Sequence, residues 1–267
     1  MNYIVQTYSQ LADQYDEEAN LNSCWGRLSE EVSSAIRLKR YYRCIVDVGC
    51  GTGKTLVQLA AGSAKDIQFI GVEPAPNMCE KARKATHSCS NVCICGGLFE
   101  EIPLVSSSVD YLYSILAFHW TTNVSKSIEE MARVLKPDGE MDLYFIGRNN
   151  GHEFVKETTP IFLKYMGPAL LLESAGLRQQ LTKEAAIKYF QKQFNPTRLE
   201  LDESHITYYD TLEGHWSWWV RIEGHFVKIP PDKRSACDCE VKRALERLST
   251  PKGIPYTVHL LHVKLRT

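Results

Sequence analysis

The stretch Cys44-Ile45-Val46-Asp47-Val48-Gly49-Cys50-Gly51-Thr52-Gly53-Lys54-Thr55 decides the fold of this 267-residue chain. Residues 44–48 are a short apolar run that carries one carboxylate and ends at glycine, as a strand buried in a parallel sheet does. Three glycines at alternate positions follow, and glycine admits positive φ and lets a ligand approach the backbone closely. From Thr55 to Ala61, Leu56, Val57, Leu59 and Ala60 fall at helical spacing. Strand, glycine loop and helix in that order serve several kinds of nucleotide ligand, so the loop is tested position by position. A phosphate loop G-x-x-x-x-G-K-[ST] would end well on Gly53-Lys54-Thr55 but needs glycine at position 48, where valine stands. A dinucleotide loop G-x-G-x-x-G would put its last glycine on Lys54. What remains is an acidic residue followed by G-x-G-x-G.

Working outward, Ile67 to Val72, Val92 to Cys95, Val109 to Ile115 and Glu140 to Ile146 read as further strands. Asn77 to Ala85 and Ser125 to Leu135 read as helices, and Lys136-Pro137-Asp138-Gly139 as a turn. This alternation predicts an α/β fold with a doubly wound, mostly parallel sheet, which binds ligands beyond the carboxyl ends of its strands. Beyond residue 148 the pattern changes. Asn149 to Phe194 is mostly helical, with breaks expected at Pro160, Gly167-Pro168 and Gly176. Thr197 to Tyr209 reads as extended, Thr211 to Val220 as an aromatic-rich helix, Asp232 to Leu248 as an amphipathic helix and Tyr256 to Lys264 as a closing strand. The expected organisation is an N-terminal helical segment over 1–40, a Rossmann-like core over 41–147, a helical cap over 148–196, and completion of the sheet with an aromatic-rich segment over 197–267.

A net charge of −1 provides no field for nucleic acid or an anionic membrane. The chain has no apolar run of membrane-spanning length, and its first residues lack the basic and apolar regions of a signal peptide. A cytoplasmic protein, monomer or homodimer, without nucleic-acid or membrane partners is expected. Nine cysteines, at 24, 44, 50, 79, 89, 93, 95, 237 and 239, are an odd number, and a cytosolic chain keeps them reduced. Cys93-Ile94-Cys95 and Cys237-Asp238-Cys239 lack zinc-site spacing and read as small buried hydrophobes, so no metal is expected.

The acidic residue with G-x-G-x-G resembles the donor loop of class I S-adenosylmethionine-dependent methyltransferases. Gly71-Val72-Glu73-Pro74-Ala75-Pro76-Asn77-Met78 resembles their second motif, with a carboxylate about 20 residues beyond the glycines. Ser114-Ile115-Leu116-Ala117-Phe118-His119-Trp120, with residues 128–139, resembles the type 11 small-molecule group, most like its trans-aconitate, malonyl-carrier-protein and juvenile hormone acid methyltransferase branch. The opening Tyr8-Ser9-Gln10-Leu11-Ala12-Asp13-Gln14-Tyr15-Asp16 resembles an N-terminal element of that branch, which folds over the donor and closes the site with tyrosines.

The resemblance implies a seven-strand sheet, S-adenosylmethionine as cofactor, and a donor site of Tyr15, Asp47, Gly49, Cys50, Gly51, Gly53, Glu73, Pro74, Met78, Leu98, Phe99 and Ser114. Asp47 would take the amino group of the methionine moiety, and Glu73 both ribose hydroxyls. The family usually carries G-D-x-x-x-L-P where this chain has Gly97-Leu98-Phe99-Glu100-Glu101-Ile102-Pro103, so leucine stands in place of the aspartate that bonds the adenine amine. The implied activity is methyl transfer to a small molecule bearing a carboxylate, hydroxyl, amine or acidic carbon. A macromolecular methyltransferase and a non-catalytic donor-binding protein are the alternatives. His119 is the candidate base or orienting group, Tyr8, Trp120, Trp216 and Trp219 are candidate acceptor contacts, and Arg148 and Arg221 candidate partners for a substrate carboxylate.

Overall fold

The computed structural model describes residues 2–267. Three helices open the chain: α1 (Tyr3–Tyr15), α2 (Glu18–Leu21) and α3 (Cys24–Ala35). Strands and helices then alternate as β1 (Cys44–Val48), α4 (Lys54–Ala61), β2 (Gln68–Val72), α5 (Pro76–Ala85), β3 (Val92–Cys95), β4 (Val109–Ile115), α6 (Val124–Val134) and β5 (Leu135–Ile146). The second half contributes α7 (His152–Ala175), α8 (Lys183–Phe194), β6 (Arg198–Asp210), α9 (Leu212–Arg221), α10 (Pro231–Leu248) and β7 (Ile254–Arg266). Short 3₁₀ turns lie at Phe118–Trp120 and Glu223–Phe226.

The seven strands form one sheet in the order β3-β2-β1-β4-β5-β7-β6. All pairs from β3 to β5 are parallel, and β7 runs antiparallel between β5 and β6. The order reverses between β1 and β4, and their carboxyl ends splay around a crevice there. Apart from Asp47, β1 is apolar because both of its faces are covered: Ile45 joins one core with Leu56, Phe69 and Tyr113, whereas Val46 and Val48 join another with Leu112, Phe118 and Phe145.

Local chemistry fixes the helix starts. Side chains of Asn2, Ser23, Asn123, Thr182 and Thr211 cap α1, α3, α6, α8 and α9 by accepting backbone hydrogen bonds. Lys136 to Gly139, expected as a turn ahead of β5, is a bulge inside it. The register jumps between Val109–Leu135 and Tyr111–Glu140, and Asp138 takes up the excess at φ 65°, which aspartate tolerates better than most residues. Pro160 does not break α7. It sits on the solvent side, where water can take the carbonyl it leaves free, and the chain kinks instead at Gly167, φ 72°, before Pro168.

Residues 148–196, expected as one cap, divide between two cores. Phe154, Ile161, Phe162 and Met166 of α7 pack with Ile4 and Leu11 of α1, Leu28 and Val32 of α3, Trp218 and Trp219 of α9 and Val241 and Leu245 of α10. Ala186 and Phe190 of α8 pack instead with Ile128 and Met131 of α6. The connection between α7 and α8 therefore crosses the carboxyl end of the sheet, above the crevice. Cys237 is buried as expected, but Cys93 and Cys239 are exposed, because alternate strand residues and the outer helix face point to water. No group of three or more His, Cys, Asp or Glu side chains among the described residues is placed to share a metal ion.

Candidate active site

Asp47 ends β1, and the loop after it curls back onto β2 as Gly49 and Cys50 donate to the Val72 carbonyl at 2.7 and 3.2 Å. Gly49 has φ 79°, and a Cβ there would run into the Ala117 side chain, so both the turn and the close approach demand glycine. Glu73, at the end of β2, ties the loop down. Its Oε2 accepts from Gly51 N at 3.0 Å and its Oε1 from Ala75 N at 2.9 Å. β4 is followed by Leu116, which has φ 54° and donates to the Tyr144 carbonyl at 2.7 Å. A leucine in the left-handed region is a strained conformer held by its surroundings. It swings the chain into the 3₁₀ turn that carries His119 and Trp120.

Two connected cavities result. The first, about 770 Å³, is lined by Val48, Gly49, Gly51, Glu73, Pro74, Met78, Leu98, Phe99, Glu100 and Thr121, and roofed by Val5, Tyr8 and Tyr15 of α1. The second is lined by Asp47, Cys50, Thr52, His119, Asn150, Arg178, Trp218, Glu223, Phe226 and Tyr256. Tyr8, Tyr15, Gly49, Gly51, Ile115, Leu116 and Trp120 line both, so the cavities meet above the glycine loop. The roof is pinned: Thr52 Oγ1 donates to Asp16 Oδ1 at 2.8 Å, and Asn77 N and Nδ2 donate to Ser9 at 3.2 and 2.8 Å.

The electrostatics of the crevice are unbalanced. Asp47 is almost wholly buried and its Oδ1 has no hydrogen-bond partner among the described residues. Burial pushes its carboxyl up to about 8. Glu73 is raised by burial as well, though its two backbone donors hold it back. In the second cavity Arg178 donates to Glu223 Oε2 at 2.6 Å and lies 4.5 Å from the centre of the Trp120 ring. Trp120 packs on Phe226 at 4.6 Å and edge-on to Tyr8 at 5.7 Å. His119 is buried with Nδ1 unpartnered, and burial, aided by the Arg178 charge, pushes it down to about 3, so its imidazole is neutral. The Gln179 amide donates to the His119 carbonyl at 2.7 Å, which fixes the Arg178 loop against the His119 turn.

Of the residues expected at the donor site, Tyr15, Asp47, Gly49, Cys50, Gly51, Glu73, Pro74, Met78, Leu98 and Phe99 line these cavities. Gly53 and Ser114 line neither. Gly53 is the left-handed cap of α4, packed against Ala82 of α5, and Ser114 is fully buried within β4. Tyr8, His119 and Trp120 face the second cavity, but Trp216 and Trp219 do not. Trp219 is buried in the core with its indole N–H on Asp238 Oδ1 at 2.9 Å, and Trp216 is half-buried under Lys242. The turn of α9 presents Trp218 instead. Arg221 pairs with Glu17, and Arg148 stays outside both cavities. The cavity arginine is Arg178, on the loop between α7 and α8, which no local pattern distinguishes from other arginines.

Residues 46–142 match the family model described as a methyltransferase domain. The biotin biosynthesis bifunctional protein BioHC of Cellvibrio japonicus is 31% identical over 145 residues, 54% of this chain and 27% of that protein. An uncharacterized methyltransferase of Mycobacterium bovis is 33% identical over 115 residues, 43% of this chain and 44% of that protein. A malonyl-[acyl-carrier protein] O-methyltransferase of Methylovorus is 29% identical over 104 residues, 36% of this chain and 34% of that protein. The matched segment thus spans less than half the length of each of these relatives. Among solved structures, the YcgJ protein of Bacillus subtilis superposes with a TM-score of 0.61 at 17% identity, covering 91% of this chain and 98% of that one. A Haemonchus contortus phosphoethanolamine N-methyltransferase 2, solved with S-adenosyl-L-methionine, superposes at 0.60 with 16% identity, covering 96% and 56%. Residues 46–142 thus match a methyltransferase domain, and the seven-strand, mostly parallel sheet has the Rossmann-like fold of class I methyltransferases.

Proposed function

We propose that this protein transfers a methyl group from S-adenosylmethionine to a small-molecule carboxylate, forming a methyl ester. The donor, when bound, supplies an electrophilic methyl group on a sulfonium. The first cavity, with Asp47 of the adjoining one, fits it by chemistry. Asp47 offers an unpartnered buried carboxylate oxygen to an ammonium, Glu73 lies at hand for vicinal hydroxyls, and Phe99 and Met78 provide apolar walls for a base. A cationic group beside Asp47 would also restore its ionised form, so site and ligand are electrostatically matched.

The single observation that carries the acceptor reading is Arg178. It is the guanidinium lining the chamber that opens onto the glycine loop, and it donates to one carboxylate, Glu223, which leaves further N–H groups for a ligand. Trp120, Phe226, Tyr8, Trp218 and Tyr256 line the chamber around it. A carboxylate needs no general base to attack a sulfonium methyl, and a neutral His119 is suited to orienting an oxygen rather than to holding charge. The near-neutral chain supports a small acceptor rather than a nucleic acid. Labelled donor offered with panels of carboxylic acids, amines and phenols tests this. Label should appear in products that mild alkali hydrolyses, and Arg178→Met should raise the acceptor KM at least about tenfold. Label confined to alkali-stable products, or to protein or RNA, would overturn it.

A further inference from the structure

The chain lacks an acidic side chain at position 98, yet the far end of the first cavity holds a carboxylate in another form. Glu100 lines that cavity beside Leu98, Phe99 and Thr121 and is only 9% exposed. Its two oxygens are in unlike situations. Oε1 accepts four hydrogen bonds: from Thr121 Oγ1 at 2.7 Å, Thr122 N at 2.6 Å, Thr122 Oγ1 at 2.7 Å and Asn123 N at 3.0 Å. Oε2 accepts none from the other described residues, and it is not among the sealed, unpartnered atoms of the interior.

These donors hold the carboxyl below its usual range despite its burial, so Glu100 is ionised and can only accept. They also fix its orientation, because two of them are backbone N–H groups that end just ahead of α6 and cannot rotate away. Glu73 and Glu100 line the same cavity, and Asp47 lines the adjoining one. A nucleoside with its ribose at Glu73 would share its cavity with Glu100.

We propose that Glu100 Oε2 reads the exocyclic amine of the adenine, so that the base contact of this chain comes from a carboxylate anchored on the α6 cap rather than from position 98. The inference rests on S-adenosylmethionine being the donor. Glu100→Gln is a directed test of it. The backbone N–H groups of Thr122 and Asn123 oblige the amide oxygen to occupy the Oε1 place, which turns the amide NH₂ toward the base amine, donor against donor.

Calorimetry is run with S-adenosylhomocysteine and with its analogue lacking the 6-amino group, on the native protein and on Glu100→Gln. The native protein should prefer the amino compound at least about tenfold, as expected for a charge-assisted hydrogen bond, and the variant should bind the two about equally. A native protein that binds both equally, or a variant that keeps the native preference, overturns the proposal. A native protein that binds neither overturns the donor reading itself. If the variant does not fold, the preference of the native protein alone decides.

Discussion

Asp47 gives the sharpest quantitative test, because the residue suited to bind the donor is badly placed for a protein without one. Burial raises its carboxyl to about 8 in the folded chain, against about 4 for an unburied aspartate. A carboxyl raised by folding is bound more tightly to its proton in the native state. Its stabilising balance is therefore complete below the unfolded pKa and is lost as pH rises toward the folded one. At about 1.36 kcal/mol per unit, the loss comes to about 2 kcal/mol near pH 5 and about 4 kcal/mol near pH 7. Asp47→Asn has the same shape and no proton to lose. The variant should therefore be more stable than the native protein by amounts that grow by about 2–3 kcal/mol between those two pH values. Urea unfolding followed by tryptophan fluorescence at both pH values measures this directly. Donor binding should meanwhile weaken at least about tenfold, since an ammonium loses its charged partner. In the native protein the affinity should rise with pH up to the folded pKa, because binding expels the Asp47 proton. A stability difference that is the same at both pH values would refute the reasoning. It would mean that Asp47 is already ionised, with a partner or solvent that the buried, unpartnered Oδ1 does not suggest.

Three further outcomes are expected. Arg178→Met leaves Glu223, itself mostly buried, without its cation, and should cost about 1–3 kcal/mol of stability; Arg178→Met with Glu223→Gln should recover most of that in urea unfolding while acceptor binding stays lost. Gly49→Ala puts a Cβ against Ala117 at a left-handed position, so it should destabilise the fold by about 1–3 kcal/mol and abolish donor binding by calorimetry. Because His119 is pushed down to about 3, the profile of kcat/KM should show no inflection near its ordinary pKa. His119→Ala should lower kcat about tenfold or more with donor Kd nearly unchanged; an inflection that vanishes in the variant would show that His119 titrates normally.

The sequence was most legible where one element decides its own state. β1 needs two buried faces and so reads as continuous apolar sequence, and the Gly49 turn needs a residue without Cβ. The helices and strands of the second half were legible too, down to the aromatic α9 and the closing β7. Periodicity did not say which face of α9 meets the crevice. Three tryptophans within four residues look alike in sequence, and packing against α7 and α10 sends Trp219 into the core and Trp218 to the cavity. Pro160 misled because a proline's cost depends on which side of the helix it faces.

By itself, then, the sequence determined the sheet, the glycine loop and the carboxylates Asp47 and Glu73, since these belong to short segments whose chemistry is local. Tertiary structure alone decided the proposed acceptor side and the Glu100 contact proposed for the first cavity. Arg178 arrives on a connection between two cores, Glu223 on a turn that follows α9, and Glu100 is oriented by an α6 cap more than 20 residues further along the chain. Such sites are made by distant segments meeting, and no local pattern encodes where they meet.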